Sequence, residues 1–230
     1  MNILAIDTSN KTLSVALLSG NELLAEATLN IKKNHSVTLM PTIDFLIAQI
    51  DWKPADLERI VVAHGPGSYT GLRIAVATAK VLAQALAIDL VGVSSLKSLL
   101  RDDAPGLVVP LMDARRNHVY TGFYENGRAV EPDGYRSFEQ VLTKLAHINP
   151  DQLTFVGETE TFAEQIQEML PNASVIPSLP SAHHLGCLGA SMEPVDIDRF
   201  EPQYLKRVEA EENWLQNHEE TDRDAYIKRV

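Results

Sequence analysis

The sequence predicts an α/β fold built twice over, each copy a mixed sheet with helices on its faces. Three observations carry this reading. Each half opens with an apolar strand that ends in aspartate, residues 2–7 (NILAID) and 107–113 (LVVPLMD). Each strand is followed by a short turn, a second strand, a glycine turn and a third strand. Each half then alternates helix-period and strand segments, the signature of parallel strands joined by crossover helices.

The elements follow in order. In the first half, 13–20 (LSVALLSG) and 22–29 (ELLAEATL) flank Gly20-Asn21; in the second, 118–125 (HVYTGFYE) and 128–132 (RAVEP) flank Asn126-Gly127. Asn-Gly between apolar runs marks a tight hairpin. Helical periodicity comes next, at 35–50 and 137–148. Strand, glycine turn and helix follow at 57–75 and 153–170, then strand and helix at 90–100 and 174–192. The charged, Pro/Gly-punctuated segment 101–106 divides the halves, giving domains 1–105 and 106–230. The stretch 200–216 reads as a pinned segment running into a helix, which has room to pack back on the first domain. The polar end, 216–230, has only Tyr226 and Ile227 to anchor it.

Residues 60–86 (IVVAHGPGSYTGLRIAVATAKVLAQAL) carry most of the functional signal. A buried strand leads through a glycine turn into a helix that is apolar almost all round. Only Arg73, Thr78, Lys80 and Gln84 break it, too few for a helix with one solvated face. Gly71, Ala75, Ala79 and Ala83 recur every fourth residue, a ridge of small side chains that admits a second helix. Periodicity leaves open whether that neighbour is another element of the chain or a separate subunit. The Gly65-Pro66-Gly67-Ser68 turn lacks the spacing and Gly-Lys-Ser/Thr end of a phosphate loop, so it reads as a tight strand-to-helix turn capped by Ser68 or Thr70.

Composition narrows the function classes. The chain has 230 residues, a formal charge of −11, 45% hydrophobic residues and one cysteine, Cys187, read as a buried inert thiol in a reducing compartment. No apolar run is long enough to cross a bilayer, and the N-terminus lacks a basic leader, so the expected location is the cytoplasm. Residues 1–105 hold 10 acids and 9 bases, and residues 106–230 hold 21 acids and 11 bases. Such a chain has no overall basic footprint for nucleic acid. The seven histidines show no i, i+4 pair and no carboxylate–histidine spacing of a metal site, so no metal is expected. Gly-Pro-Gly-Ser-Tyr-Thr-Gly is not a nucleophile elbow, and no catalytic residue is assigned.

The blocks IDTS (6–9), NHSVTLMP (34–41), HGPGSYTGLRIAVATAKVLA (64–83) and PQYLKRVEAE (202–211) closely resemble the bacterial TsaB (YeaZ) family, within the actin-like ATPase (ASKHA) superfamily. The resemblance runs from Met1 to about Trp214, and the GPGSYTGLR block is its most specific part. It implies a duplicated actin-like fold with two five-stranded mixed sheets. It implies a non-catalytic scaffold in the synthesis of threonylcarbamoyladenosine, the modified adenosine beside the anticodon of tRNAs that read codons beginning with A. The partners implied are the paralogous catalytic subunit TsaD and the ATPase TsaE, with a homodimer through the same N-terminal helices. Contact with tRNA is expected through the complex, and no membrane is involved.

The interface expected on this basis comprises Leu39, Met40, Ile43, Leu46 and Ile47 of the first helix and Gly71, Arg73, Ala75, Val76, Ala79 and Ala83 of the second. The superfamily's phosphate hairpin has Asp7, Thr8 and Ser9 as weak cofactor-binding candidates, without the usual glycine. The counterpart, Asp113-Ala114-Arg115-Arg116, has no residue suited to a matching loop, so no cofactor is expected. The alternative is a small-molecule kinase or ATPase working in the interdomain cleft.

Overall fold

A computed structural model describes residues 1–31, 34–101, 104 and 106–206. The helix expected after residue 206, with Trp214, Tyr226 and Ile227, and most of the boundary segment lie outside the described residues.

The first sheet contains β1 (Asn2–Asp7), β2 (Leu13–Ser19), β3 (Glu22–Leu29), β4 (Arg59–Gly65) and β5 (Asp89–Ser94), in the order β3-β2-β1-β4-β5. β1 and β2 are antiparallel, as are β2 and β3, whereas β1, β4 and β5 run parallel. The second sheet contains β6 (Leu107–Asp113), β7 (His118–Glu125), β8 (Arg128–Ser137), β9 (Leu153–Gly157) and β10 (Ser174–Pro177), in the order β10-β9-β6-β7-β8. Read from the other edge, this is the same plan. The chain therefore has the duplicated, two-sheet arrangement of the actin-like ATPase fold.

Near-continuous apolar strands need cover on both faces, and alternation along β1 shows where it comes from. Leu4 and Ile6 point to one core, shared with Leu39, Ile43, Leu46 and Ile47 of α1 (His35–Gln49) and with Ala75, Val76, Ala79 and Ala83 of α2 (Tyr69–Leu86). Ile3 and Ala5 point to the opposite core, shared with Ala182 and Leu185 of α5 (Ala182–Gly189). In the second sheet, Val109, Leu111 and Phe155 pack on α3 (Phe138–Leu145) and on Phe162 and Ile166, at and within α4 (Ala163–Met169). Its other face, with Val108, Met112 and Val156, packs on Leu96 and Leu99.

The two halves thus exchange cover. The sequence predicts a helix after β5, but only a 3-10 turn forms, at Lys97–Leu99. Its leucines plug the second sheet, while α5, from late in the chain, takes the free face of the first. Gly186 and Gly189 make this close approach feasible, because a Cβ at either would run into Leu18 or Val61. Arg59 secures the end of α5. Its Nη1 donates to the carbonyls of Gly189, Ala190 and Met192 at 2.9–3.0 Å, and its Nη2 pairs with Asp89 at 2.8 Å. The carbonyls of Gly189 and Ala190 are among the four that a helix leaves unsatisfied at its C-terminal end, and Met192 lies just beyond it. Cys187 lies at the rim of this core and is half-buried, not fully buried as the sequence suggests, since α5 is short and its outer side faces solvent.

Beyond α5 the chain returns as a strap along β5. Val195 N donates to Leu90 O, Lys80 Nζ holds the Phe200 carbonyl at 2.8 Å, and Gln203 N donates to His64 O. The lobes are also joined by Asp133, whose carboxylate accepts from Ser94 of β5 and Tyr124 of β7. The sequence places the end of the third strand of the second half at Pro132; β8 instead continues to Ser137.

Candidate functional site

A cleft of about 910 Å³ opens between the lobes, bordered by the β1–β2 turn, the start of α2 and the β6–β7 turn. The first turn is built by its aspartate. Asp7 Oδ1 accepts from Ser9 N at 2.8 Å, closing an Asx turn, and Oδ2 accepts from Ser98 Oγ at 2.7 Å. The second turn repeats the device, with Arg115 N donating to Asp113 Oδ1 at 2.8 Å. There Arg115, Arg116 and Asn117 take up three consecutive left-handed conformations, without a glycine.

The cofactor candidates Asp7, Thr8 and Ser9 are all fully buried. Thr8 Oγ1 donates to Gly71 O at 2.8 Å, and Ser9 O accepts from Ser68 N at 2.6 Å. The turn therefore leans directly on the first residues of α2, whose N-cap is Ser68, accepting from Gly71 N. Gly71 is required there, since a Cβ would run into the Thr8 carbonyl. Of the three candidates only Ser9 borders the cleft, and its hydroxyl has no hydrogen-bond partner among the described residues. Asn34 caps α1, and His35 Nε2 lies 2.9 Å from Asn10 O, tying that helix to the same turn. Among the described residues no group of three or more His, Cys, Asp or Glu could hold a metal ion.

Burial raises the Asp7 carboxyl above the ordinary carboxylate range, an effect only offset in part by the hydrogen bonds from Ser98 and Ser9 and by nearby His35. Glu158, which accepts from Asp113 N at 2.9 Å, is raised for the same reason. For Asp7 the sign follows from linkage. Above its ordinary value the unfolded chain has released a proton that the native chain still holds, so stability present at low pH is lost as pH rises through that window. Asp7→Asn keeps an acceptor for Ser9 N–H and removes the titration. The expected result is a higher Tm at neutral pH and a shallower loss of Tm as pH rises from 4 to 7. An unchanged Tm–pH slope by calorimetry would rule out this assignment.

The helical pair α1/α2 has two distinct faces. Nine of the eleven residues expected at an interface are instead buried in the chain's own core: Leu39, Ile43, Leu46, Ile47, Gly71, Ala75, Val76, Ala79 and Ala83. The small-residue ridge does admit a close neighbour, but that neighbour is the chain's own first sheet, because β4 and β1 lie directly beneath α2. Only Met40 and Arg73 of the expected set are exposed. The outward stripes are different residues: Val37 (66% exposed), Met40, Phe45 (58%) and Ala48 on α1, and Arg73, Ala77, Val81 (65%) and Ala85 on α2. Spacing of three and four identifies a stripe, but which apolar stripe faces inward is decided by the sheet.

A family model described as TsaD, tRNA N6-adenosine threonylcarbamoyltransferase, matches residues 22–214. The tRNA threonylcarbamoyladenosine biosynthesis protein TsaB of Bacillus subtilis is 40% identical over 94% of this chain and 99% of its own length. The chain belongs to the TsaB (YeaZ) family. The Escherichia coli TsaB is 26% identical over 90% of this chain and 95% of its own length. Among solved structures, YeaZ from Pseudomonas aeruginosa superposes with a TM-score of 0.70 at 26% identity, covering 89% of this chain and 99% of that one. A second Pseudomonas aeruginosa structure, described as similar to peptidase YEAZ, gives a TM-score of 0.74 at 28% identity, with the same coverage. These relatives cover about nine-tenths of the chain, and so parts of both lobes. No helix among the described residues is long and apolar enough to cross a membrane.

Proposed function

We propose that this TsaB-family chain is a non-catalytic scaffold in the formation of threonylcarbamoyladenosine in tRNA, pairing with a TsaD-type paralogue through the outer face of α1 and α2. The observation that carries the proposal is that face. Val37, Met40, Phe45 and Val81 are large apolar side chains left in water on adjacent helices, although the core beneath is already complete. Large exposed apolar side chains gathered on neighbouring helices mark a protein-binding surface. Two such helical pairs, one from each paralogue, would form a four-helix layer between similar sheets. In the absence of the paralogue the same face supports a homodimer. The pair is in turn the platform on which the TsaE ATPase docks, and the complex acts in the cytoplasm.

The cleft argues against independent ATPase chemistry. Asp7 is sealed from solvent with both oxygens engaged, and Thr8 is committed to Gly71. The residues present do not fit a magnesium–triphosphate, so this chain is assigned no cofactor of its own. Calorimetric titration with magnesium–ATP should give no heat. Micromolar binding lost in Asp7→Ala would establish the kinase alternative instead.

The deciding experiment is omission. The catalytic paralogue, the ATPase subunit, threonylcarbamoyl-adenylate and tRNA are combined with and without this chain, and the modified nucleoside is measured by mass spectrometry. Product should be lost on omission and restored by the wild-type chain but not by Val81→Glu. Full product without the chain would refute the scaffold role.

A further inference from the structure

The strap after α5 assembles a feature that no single segment contains. Tyr204 packs against Tyr69 at the start of α2, ring centroids 4.8 Å apart and planes tilted by 31°, and the Arg73 guanidinium lies 5.1 Å from the Tyr69 ring. Two residues further on, the Lys206 ammonium lies 5.1 Å from the ring of Tyr135 on β8 in the opposite lobe. His118 stacks on that same ring at 4.8 Å and 13°. The contacts therefore run in the order Arg73, Tyr69, Tyr204, Lys206, Tyr135, His118, with cations and rings drawn from both lobes. Tyr69 and Tyr204 are more than two-fifths exposed, and Tyr69 and Lys206 border the cleft itself.

We propose that this line binds a single-stranded RNA loop, with unstacked bases on the tyrosines and a backbone phosphate on Lys206. The proposal rests on the tRNA reading above and extends it by giving this chain its own contact with the nucleic acid. The pairing of rings with cations is the argument. An acidic peptide would need only the cations, and an apolar peptide only the rings. A strand of RNA presents a flat base and a charged phosphate in every residue, and proteins that hold single strands combine stacking rings with cations along the backbone. The chain as a whole carries −11, so non-specific attraction to RNA is absent and phosphate must be met locally. Exposed tyrosines also suit a base better than a paired helix, whose bases are stacked away from the protein.

The test is fluorescence anisotropy of the full-length chain with a labelled RNA hairpin whose loop carries the target adenosine, beside a fully paired duplex of matching composition. The hairpin should bind and the duplex should bind much more weakly. Loss of one stacking ring should weaken hairpin binding by roughly tenfold in Tyr135→Ala and Tyr69→Leu, with Tyr135→Phe close to wild type. Lys206→Gln should lower the slope of log affinity against log salt by about one. Equal binding of duplex and hairpin, or full binding in Tyr135→Ala and Tyr69→Leu, overturns the proposal, as does displacement of the hairpin by free adenosine nucleotide at similar concentration. The omission assay separates the two levels. Product that requires the chain, together with hairpin binding unaffected by these variants, leaves the scaffold in place and removes the RNA site.

Discussion

Ala79→Glu should remove much of the chain's stability, whereas Val81→Glu, two residues along the same helix, should leave a folded chain that pairs far more weakly. Ala79 is fully buried against the first sheet, among apolar neighbours. An unpaired buried charge costs roughly 3–5 kcal/mol or more, against a total stability of about 5–15 kcal/mol for a typical domain. Val81 is 65% exposed, so a charge there should change monomer stability by about 0.5 kcal/mol or less. In a helical layer that excludes water, the same charge should weaken association by about 2 kcal/mol or more, roughly thirtyfold. Circular dichroism and thermal melts test the first half, and sedimentation with and without the catalytic paralogue tests the second. If Val81→Glu pairs normally while remaining folded, the interface is not this face.

Gly71→Val is the second large effect. The substitution drives a β-branched side chain into the Thr8 carbonyl, at the point where the β1–β2 turn meets α2. Backbone cannot retreat as a flexible side chain can, so either the turn or the helix start must move, and the Thr8–Gly71 and Ser9–Ser68 hydrogen bonds go with it. Overpacking with the loss of two buried bonds should cost about 3 kcal/mol, which lowers Tm by roughly 6–12 °C for a chain of this size. Gly20→Ala, in the outer hairpin, has open space around it and meets no clash, so it carries only the cost of its left-handed backbone (φ 61°), about 1–2 kcal/mol, and sets the scale for losing a glycine without overpacking. A Gly71→Val chain that melts within a degree or two of wild type would show that the turn is not braced by the helix.

Much of the fold is legible in the sequence because its signals are local. The two aspartate-ended strands, the Asn-Gly hairpin and the helical periods of α1 and α2 need only neighbours along the chain to interpret. The exchange of cover is not local. Nothing within residues 174–192 says that α5 belongs to the sheet at the other end of the chain, and nothing near Leu96 and Leu99 says that they plug the second sheet. The interface residues fail for a related reason. A helix that is apolar all round offers two stripes, and the eye chooses the one with the tidier repeat, Gly71–Ala75–Ala79–Ala83. Close packing on a sheet favours that same stripe of small side chains, which leaves bulkier Val81 outside. The line from Arg73 to His118 is invisible for the plainest reason: its six residues come from four separate stretches, at 69–73, 118, 135 and 204–206.

The exchange of cover also sets the order in which the nascent chain can mature. When β5 leaves the ribosome all five strands of the first sheet exist, yet one face, with Ile3, Ala5, Val61 and Val91, has nothing to lie against. Its partner helix is not synthesised until residues 182–189. At about 5–20 residues per second, that leaves an apolar sheet face open for on the order of ten seconds. The first lobe is therefore a poor candidate for life as a separate fragment, and the half-made chain is a natural client for a chaperone that shields apolar surface.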